Sequence, residues 1–189
     1  VLLTGSNASG KSTFLKTIAI NAILAQTICT CLSDSYESCF FRVYSSMALK
    51  DDIQSSESYY IVEIKSLKRI IDAASDRDGD YAHVPVLCFI DEVLRGTNTI
   101  ERIAASSRIL EAISQMNALC FAATHDIELT AILERDFSNY HFQEEVSDDN
   151  VTFDYILYPG RATSRNAIKL LGIIGFNKDI IEEATRAAR

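Results

Sequence analysis

The sequence predicts an α/β fold: a mostly parallel sheet flanked by helices, with an antiparallel hairpin near the C-terminus. Three observations carry this. Apolar runs at residues 1–3, 86–90 and 119–124 are continuous rather than alternating, as strands buried on both faces are. Stretches with helical spacing separate them, which is the pattern of strands joined by crossover helices. Between the first run and the first helical stretch lies Gly5-Ser-Asn-Ala-Ser-Gly10-Lys11-Ser12. Its G-x-x-x-x-G-K-[ST] spacing, in a strand–loop–helix context, is that of the phosphate-cradling P-loop.

The elements follow in order. After the loop a helix is expected over 11–27, with Phe14, Leu15, Ile18, Ala19, Ala22 and Ile23 as its apolar residues. A short strand is expected at 39–44, then a polar stretch over 45–58. A helix over 59–75 places Ile61, Ile64, Leu67, Ile70 and Ile71 on one face. Residues 75–80 form a charged turn. Pro85 precedes the strand at 86–90, a helix follows over 99–116, and the strand at 119–124 leads to a helix over 126–134. Alternating residues at 140–145 and 151–158, joined by Ser147-Asp-Asp-Asn150, predict the hairpin. Helices at 164–171 and 178–188 close the chain.

Length and composition argue for one domain: 189 residues, 48% of them apolar. The first residue already lies within a predicted strand, so the sequence reads as a fragment of a longer polypeptide. No apolar run approaches the roughly 18 residues of a membrane span, and no signal peptide is evident. Direct membrane contact is therefore not expected of this piece. A net charge of −8 is the wrong sign for a surface that holds a nucleic-acid backbone. Among the five cysteines, Cys88 and Cys120 sit in apolar strands and read as small buried hydrophobes. Cys29, Cys31 and Cys39 lack a fourth ligand at zinc-site spacing. Reduced thiols and a cytoplasmic location are expected.

The chemistry of the loop explains its residues. Gly5 and Gly10 let the backbone of Ser6, Asn7, Ala8 and Ser9 turn its N–H groups inward toward phosphate oxygens. The helix that follows adds its positive end. Lys11 brings charge to the β- and γ-phosphates, and the Ser12 hydroxyl can ligate Mg²⁺. A second motif, Asp91-Glu92, ends the 86–90 run at the edge where open α/β sheets hold ligands. Asp91 is expected to hold Mg²⁺, and Glu92 to polarise an attacking water. His125, just past the 119–124 strand, is placed to sense the γ-phosphate by hydrogen bonding. His83 and His141 lack such context.

Together with Gly5–Thr13, Phe89-Ile-Asp-Glu92, Arg95-Gly-Thr97 and Ala123-Thr-His125, the segment Asp51-Asp-Ile-Gln-Ser-Ser-Glu-Ser58-Tyr-Tyr-Ile-Val-Glu63 carries a family resemblance. The chain resembles, over its whole length, the C-terminal ATPase domain of the MutS family of mismatch-repair proteins, which belongs to the ABC-type P-loop ATPases. A transporter's Leu-Ser-Gly-Gly-Gln signature is absent. The sequence departs from the family pattern at Ser56, Glu57 and Tyr59-Tyr60, and in the loop at Ser6 and Ala8-Ser9. It therefore resembles a divergent bacterial branch.

The resemblance implies ATP and Mg²⁺ as ligands, with Asn7 reaching the phosphates and Thr13 donating to the α-phosphate. It also implies a homodimer of ATPase domains in which Ser58 of one chain completes the site of the other in trans, and Arg95-Gly-Thr-Asn98 communicates across that interface. DNA would be bound through domains N-terminal to this piece, and base-stacking residues are expected before Val1. The function implied is ATP hydrolysis in a mismatch-repair-type protein. The alternative is a nucleotide-gated dimerisation module of a MutS paralogue in recombination control, ribosome rescue or a membrane-tethered complex.

Overall fold

The three continuous apolar runs form adjacent parallel strands, and their residues alternate between two helical layers. In the computed structural model, which describes residues 1–6, 9–47, 59–146, 151–162 and 167–187, β1 (Leu2–Thr4) leads through the glycine loop into α1 (Lys11–Ile28). β2 (Arg42–Ser46), α2 (Tyr59–Ser75), β3 (Val86–Asp91), α3 (Thr99–Ser114), β4 (Ala118–Ala123) and α4 (Glu128–Ile132) follow. The C-terminal part holds β5 (Asn139–His141), β6 (Glu144–Val146), β7 (Val151–Phe153), β8 (Tyr158–Pro159), α5 (Ala167–Ile174) and α6 (Lys178–Ala187). Six strands make one sheet in the order β2-β3-β4-β1-β5-β8, parallel except for the β5–β8 pair, and β6 and β7 form a separate antiparallel pair. The mixed α/β architecture expected from the sequence is thus observed.

Side chains two apart on a strand share a face. Leu2, Val86, Cys88, Ile90, Cys120 and Ala122 join Leu67 and Ile70 of α2 and Leu110 and Ile113 of α3 in one core. Leu3, Leu87, Phe89 and Ala123 join Leu15, Ala19 and Ala22 of α1 in the other. Because both faces are covered, the strands have no polar side to alternate with. Cys88 and Cys120 are buried free thiols facing each other across the β3–β4 pair, as their apolar context predicts. Among the described residues no helix is long and apolar enough to cross a membrane.

Several elements differ from expectation; the strand expected at 151–158 is two, β7 pairing with β6 and β8 with β5 in the main sheet. The strand expected at 39–44 runs instead from Arg42 to Ser46. Both backbone groups of Phe41 are taken by the Gln26 side chain at the end of α1, while Ser45 and Ser46 pair with Phe89 and Ile90. The strand expected at 140–145 is broken at Phe142. Its first part, β5, lies parallel to β1, and only its second part enters the hairpin. The N–H of Phe142 donates to the Thr4 carbonyl (3.0 Å), and its ring meets Phe14 edge-on at 5.8 Å.

The buried face of α2 is also rotated from the predicted one. Ile61 and Ile64 are 41% and 38% exposed, and the inward stripe runs through Tyr60, Glu63, Leu67, Ile70 and Ala74. A carboxylate occupies an apolar position because two backbone N–H groups satisfy it there.

Phe89 is fully buried in the α1-side core and stacks on Phe121 at 5.7 Å. Phe89→Ala should lower unfolding stability by about 3–5 kcal/mol in denaturant titrations; a loss under about 1 kcal/mol would mean the two-layer core does not depend on it.

Candidate functional site

The candidate residues come from three different strands, and register brings them together. Leu3 lies beside Ala123, and Ala123 beside Asp91, so β1, β4 and β3 end at one level. From those ends spring the glycine loop, Asp91-Glu92 and Thr124-His125. A cleft of about 490 Å³ opens there, lined by Ser9, Gly10, Lys11, Ser12, Thr13, Phe14, Thr17, Glu92, His125, Phe142 and Tyr155.

The loop is built by its glycines. Gly5 and Gly10 have φ of 140° and 107°, which side chains rarely tolerate. A Cβ on Gly5 would sit 2.7 Å from the Phe142 carbonyl oxygen, so the loop lies tight against the start of the hairpin. Gly10 caps α1 without any side-chain hydrogen bond, which leaves the first turn's N–H groups facing the cleft. Lys11 is 5% exposed and curls back, Nζ donating to the carbonyls of Gly5 (2.8 Å) and Ser6 (2.7 Å). Burial holds its ammonium below the usual lysine range, opposed by the charges of Asp91, Glu92 and Glu144. The Ser9 hydroxyl is buried with no hydrogen-bond partner among the described residues. An orphaned hydroxyl on a positively capped loop fits an anionic oxygen. Asn7 and Ala8 lie outside the described residues, as does Ser58.

The second and third motifs meet. His125 Nε2 is 2.9 Å from Glu92 Oε1, and Arg95 Nη1 is 2.9 Å from the other carboxylate oxygen. Glu92 therefore has both oxygens held, and it is only 21% exposed. The backbone at Glu92 (φ 62°) and Leu94 (φ 56°) is left-handed, rare for residues of this size. The Glu92 N–H donates to the Ala123 carbonyl (3.0 Å), tying this turn to the β4 end. The residues flanking His125 are anchored: Arg102 of α3 makes a two-pronged pair with Asp126 at 2.7 and 2.6 Å, and the Asp126 N–H donates to the Thr124 hydroxyl.

Several contributors escaped the sequence reading. Glu63 gave a signal, a charge in line with Leu67 and Ile70. Arg102 and Asp126 gave none. Phe142, Glu144 and Tyr155 reach the loop only because the hairpin region folds back on it. Ser6 Oγ donates to a Glu144 carboxylate oxygen, and the Tyr155 ring lies against Gly10. Base-contacting residues are expected before Val1, yet the aromatic side chains of Phe142 and Tyr155 already line the cleft. His141 bonds the Gly160 carbonyl away from it (3.1 Å).

Comparison with known proteins identifies the family of the chain. The family model described as MutS domain V matches residues 1–189. The chain is 29% identical over 185 residues to a DNA mismatch repair protein MutS of Thermus thermophilus, covering 97% of this chain and 22% of that protein. It is 32% identical over 187 residues to DNA mismatch repair protein MutS 2 of Halobacterium salinarum, covering 97% and 21%. For the MutS protein of Oceanobacillus iheyensis the figures are 29% over 189 residues, 98% and 21%. The chain thus spans about a fifth of the length of these curated relatives. Matched from its first residue to its last by the domain V model, the chain belongs to the MutS family.

Proposed function

We propose that this chain is the ATP-binding and ATP-hydrolysing domain of a MutS-type protein, with a P-loop ATPase site of the ABC type. The observation that carries the reading is the convergence in one cleft of the buried Lys11, the orphaned Ser9 hydroxyl and the Glu92–His125 pair. The loop N–H groups and Ser9 would hold the phosphates, with Thr13 on the α-phosphate side. On binding, Lys11 exchanges the Gly5 and Ser6 carbonyls for phosphate oxygens, which it neutralises in a partly desolvated site. Ser12 and Asp91 would hold Mg²⁺, which supplies charge neutralisation at the β- and γ-phosphates. Glu92 accepts the proton of the attacking water. His125 and Arg95 orient that carboxylate, and the Tyr155 ring offers a face for the base.

The relatives are named DNA mismatch repair proteins, and we extend that process, and a cytoplasmic setting, to the protein that carries this chain. DNA would be contacted elsewhere, since this piece has a net charge of −8. The dimer arrangement implied by the family resemblance, with Ser58 acting in trans, belongs to the same proposal. What supports it is the place of Ser58 immediately before α2, whose N-terminal dipole would favour a phosphate.

Lys11→Ala should abolish nucleotide binding measured by fluorescent-analogue titration; retained binding overturns the P-loop assignment. Glu92→Gln should bind ATP with unchanged affinity, turn over roughly a hundredfold more slowly or worse, and accumulate an ATP-bound dimer in light scattering. Ser58→Ala should leave single-chain affinity nearly unchanged while weakening dimerisation and hydrolysis about ten- to a hundredfold. Mixing it with Lys11→Ala protein should restore part of the activity, because one site of each mixed dimer holds both residues. Mixed dimers without recovery would place Ser58 in its own chain's site.

A further inference from the structure

We infer that Glu63 of α2 is a positioning residue for hydrolysis, its buried carboxylate gripping the Leu94 and Arg95 amides in the turn after Glu92 and so holding that catalytic side chain in the cleft. The inference rests on the reading of Glu92 as the proton acceptor.

Glu63 is 2% exposed. One carboxylate oxygen accepts the Leu94 N–H, and the other accepts the Arg95 N–H at 3.1 Å. Consecutive N–H groups converge on one side chain because the chain is left-handed at both Glu92 and Leu94. Two inward donors need two oxygens without hydrogens, which a carboxylate supplies and an amide does not. Burial and the nearby Glu92 charge push the Glu63 carboxyl up from the usual range, while the two amides pull it down. The position is thus a costly one to fill with an acid unless both acceptors are used.

The same turn is held from other sides as well. Gly96 lies so close to α2 that a Cβ there would come 2.9 Å from the Tyr60 Cβ. The Ser106 hydroxyl of α3 donates to the Val93 carbonyl at 3.4 Å. These contacts fix where the turn lies, and the Glu63 clamp fixes its left-handed twist. That twist aims Glu92 at His125, 2.9 Å away, rather than along the extension of β3. Left-handed backbone at a bulky residue persists only where the surroundings over-determine it. Removing one acceptor should release the twist and with it the catalytic carboxylate, while the phosphate-holding loop on β1 is untouched.

The test is a cycle in the full chain of parent, Glu63→Gln, Glu92→Gln and the double variant. Steady-state Mg·ATP hydrolysis, nucleotide Kd and amide exchange at Leu94 and Arg95 are measured for each. Glu63→Gln should lower kcat roughly ten- to a hundredfold with Kd within about twofold of the parent. The Leu94 and Arg95 amides should exchange at least roughly tenfold faster. The double variant should hydrolyse no more slowly than Glu92→Gln alone, because a residue that acts through Glu92 has nothing left to position.

Parent-like turnover and exchange in Glu63→Gln would overturn the inference. So would losses that multiply in the double variant, which would mark general destabilisation. If Glu92→Gln itself turns over at the parent rate, the reading of Glu92 fails and the role of Glu63 in hydrolysis falls with it. Parent-like turnover and exchange in Glu63→Gln beside a slow Glu92→Gln overturn the inference alone. Should Glu63→Gln not fold, Glu63→Asp, which keeps both oxygens on a shorter arm, takes its place.

Discussion

Three loops can act on one ligand only if the strands that bear them end together, and here that depends on the parallel register of β1, β4 and β3. Apart from the start of β4, where Leu119 is exposed, both faces of these strands are largely buried, so the register is strongly specified. A slip of one residue along β3 would carry Val86, Cys88 and Ile90 to the α1 side and Leu87 and Phe89 to the α2–α3 side. Phe89, stacked on Phe121 over α1, has no space of its size waiting opposite. The same packing that forbids the slip sets Asp91 level with the start of the glycine loop. Site geometry at the sheet edge is therefore a by-product of core packing several residues away.

Charge supplies the second constraint. Lys11 feels Asp91, Glu92 and Glu144, and of these Glu92 is also paired with Arg95. A polyphosphate entering alone would add negative charge beside these carboxylates. On the proposed reading a divalent ion arriving with it would relieve that imbalance, held by the oxygens of Asp91 and Ser12. Ser6 and Glu144 bear on the same balance, since their hydrogen bond brings one of the three carboxylates to the loop from the hairpin.

Legibility in the sequence follows the range of the forces. The β3 and β4 runs can be read because burial on two faces leaves an unbroken apolar string. The turns at Gly5 and Gly10 and the burial of Lys11 beside them can be read because they are set by local backbone geometry. Asp91, Glu92 and His125 can be placed from the strands that precede them. The hairpin can be foreseen but not its break, since Phe142 leaves the strand to meet Thr4 and Phe14, which lie at the far end of the chain. The buried face of α2 likewise differs by one position from the one its apolar residues suggest. Counting apolar residues favours Ile61 and Ile64, and only a partner turn on another strand makes Glu63 the buried choice.

The two thiols at the centre of the sheet have a practical consequence. Cys120 is pushed well above the ordinary thiol range, first by its hydrogen bond with Cys88 and then by burial. It is thus doubly withdrawn from alkylation, which needs both access and a thiolate. Cys29 and Cys39 are exposed, and Cys31 is partly so. A thiol reagent will accordingly sort the five cysteines into a prompt class and a delayed one. The delayed class reacts only when β3 and β4 part, so its rate is an internal clock for the opening of the sheet. Bound ligands that clamp the strand ends should slow that clock, giving a label-based readout of occupancy that requires no turnover.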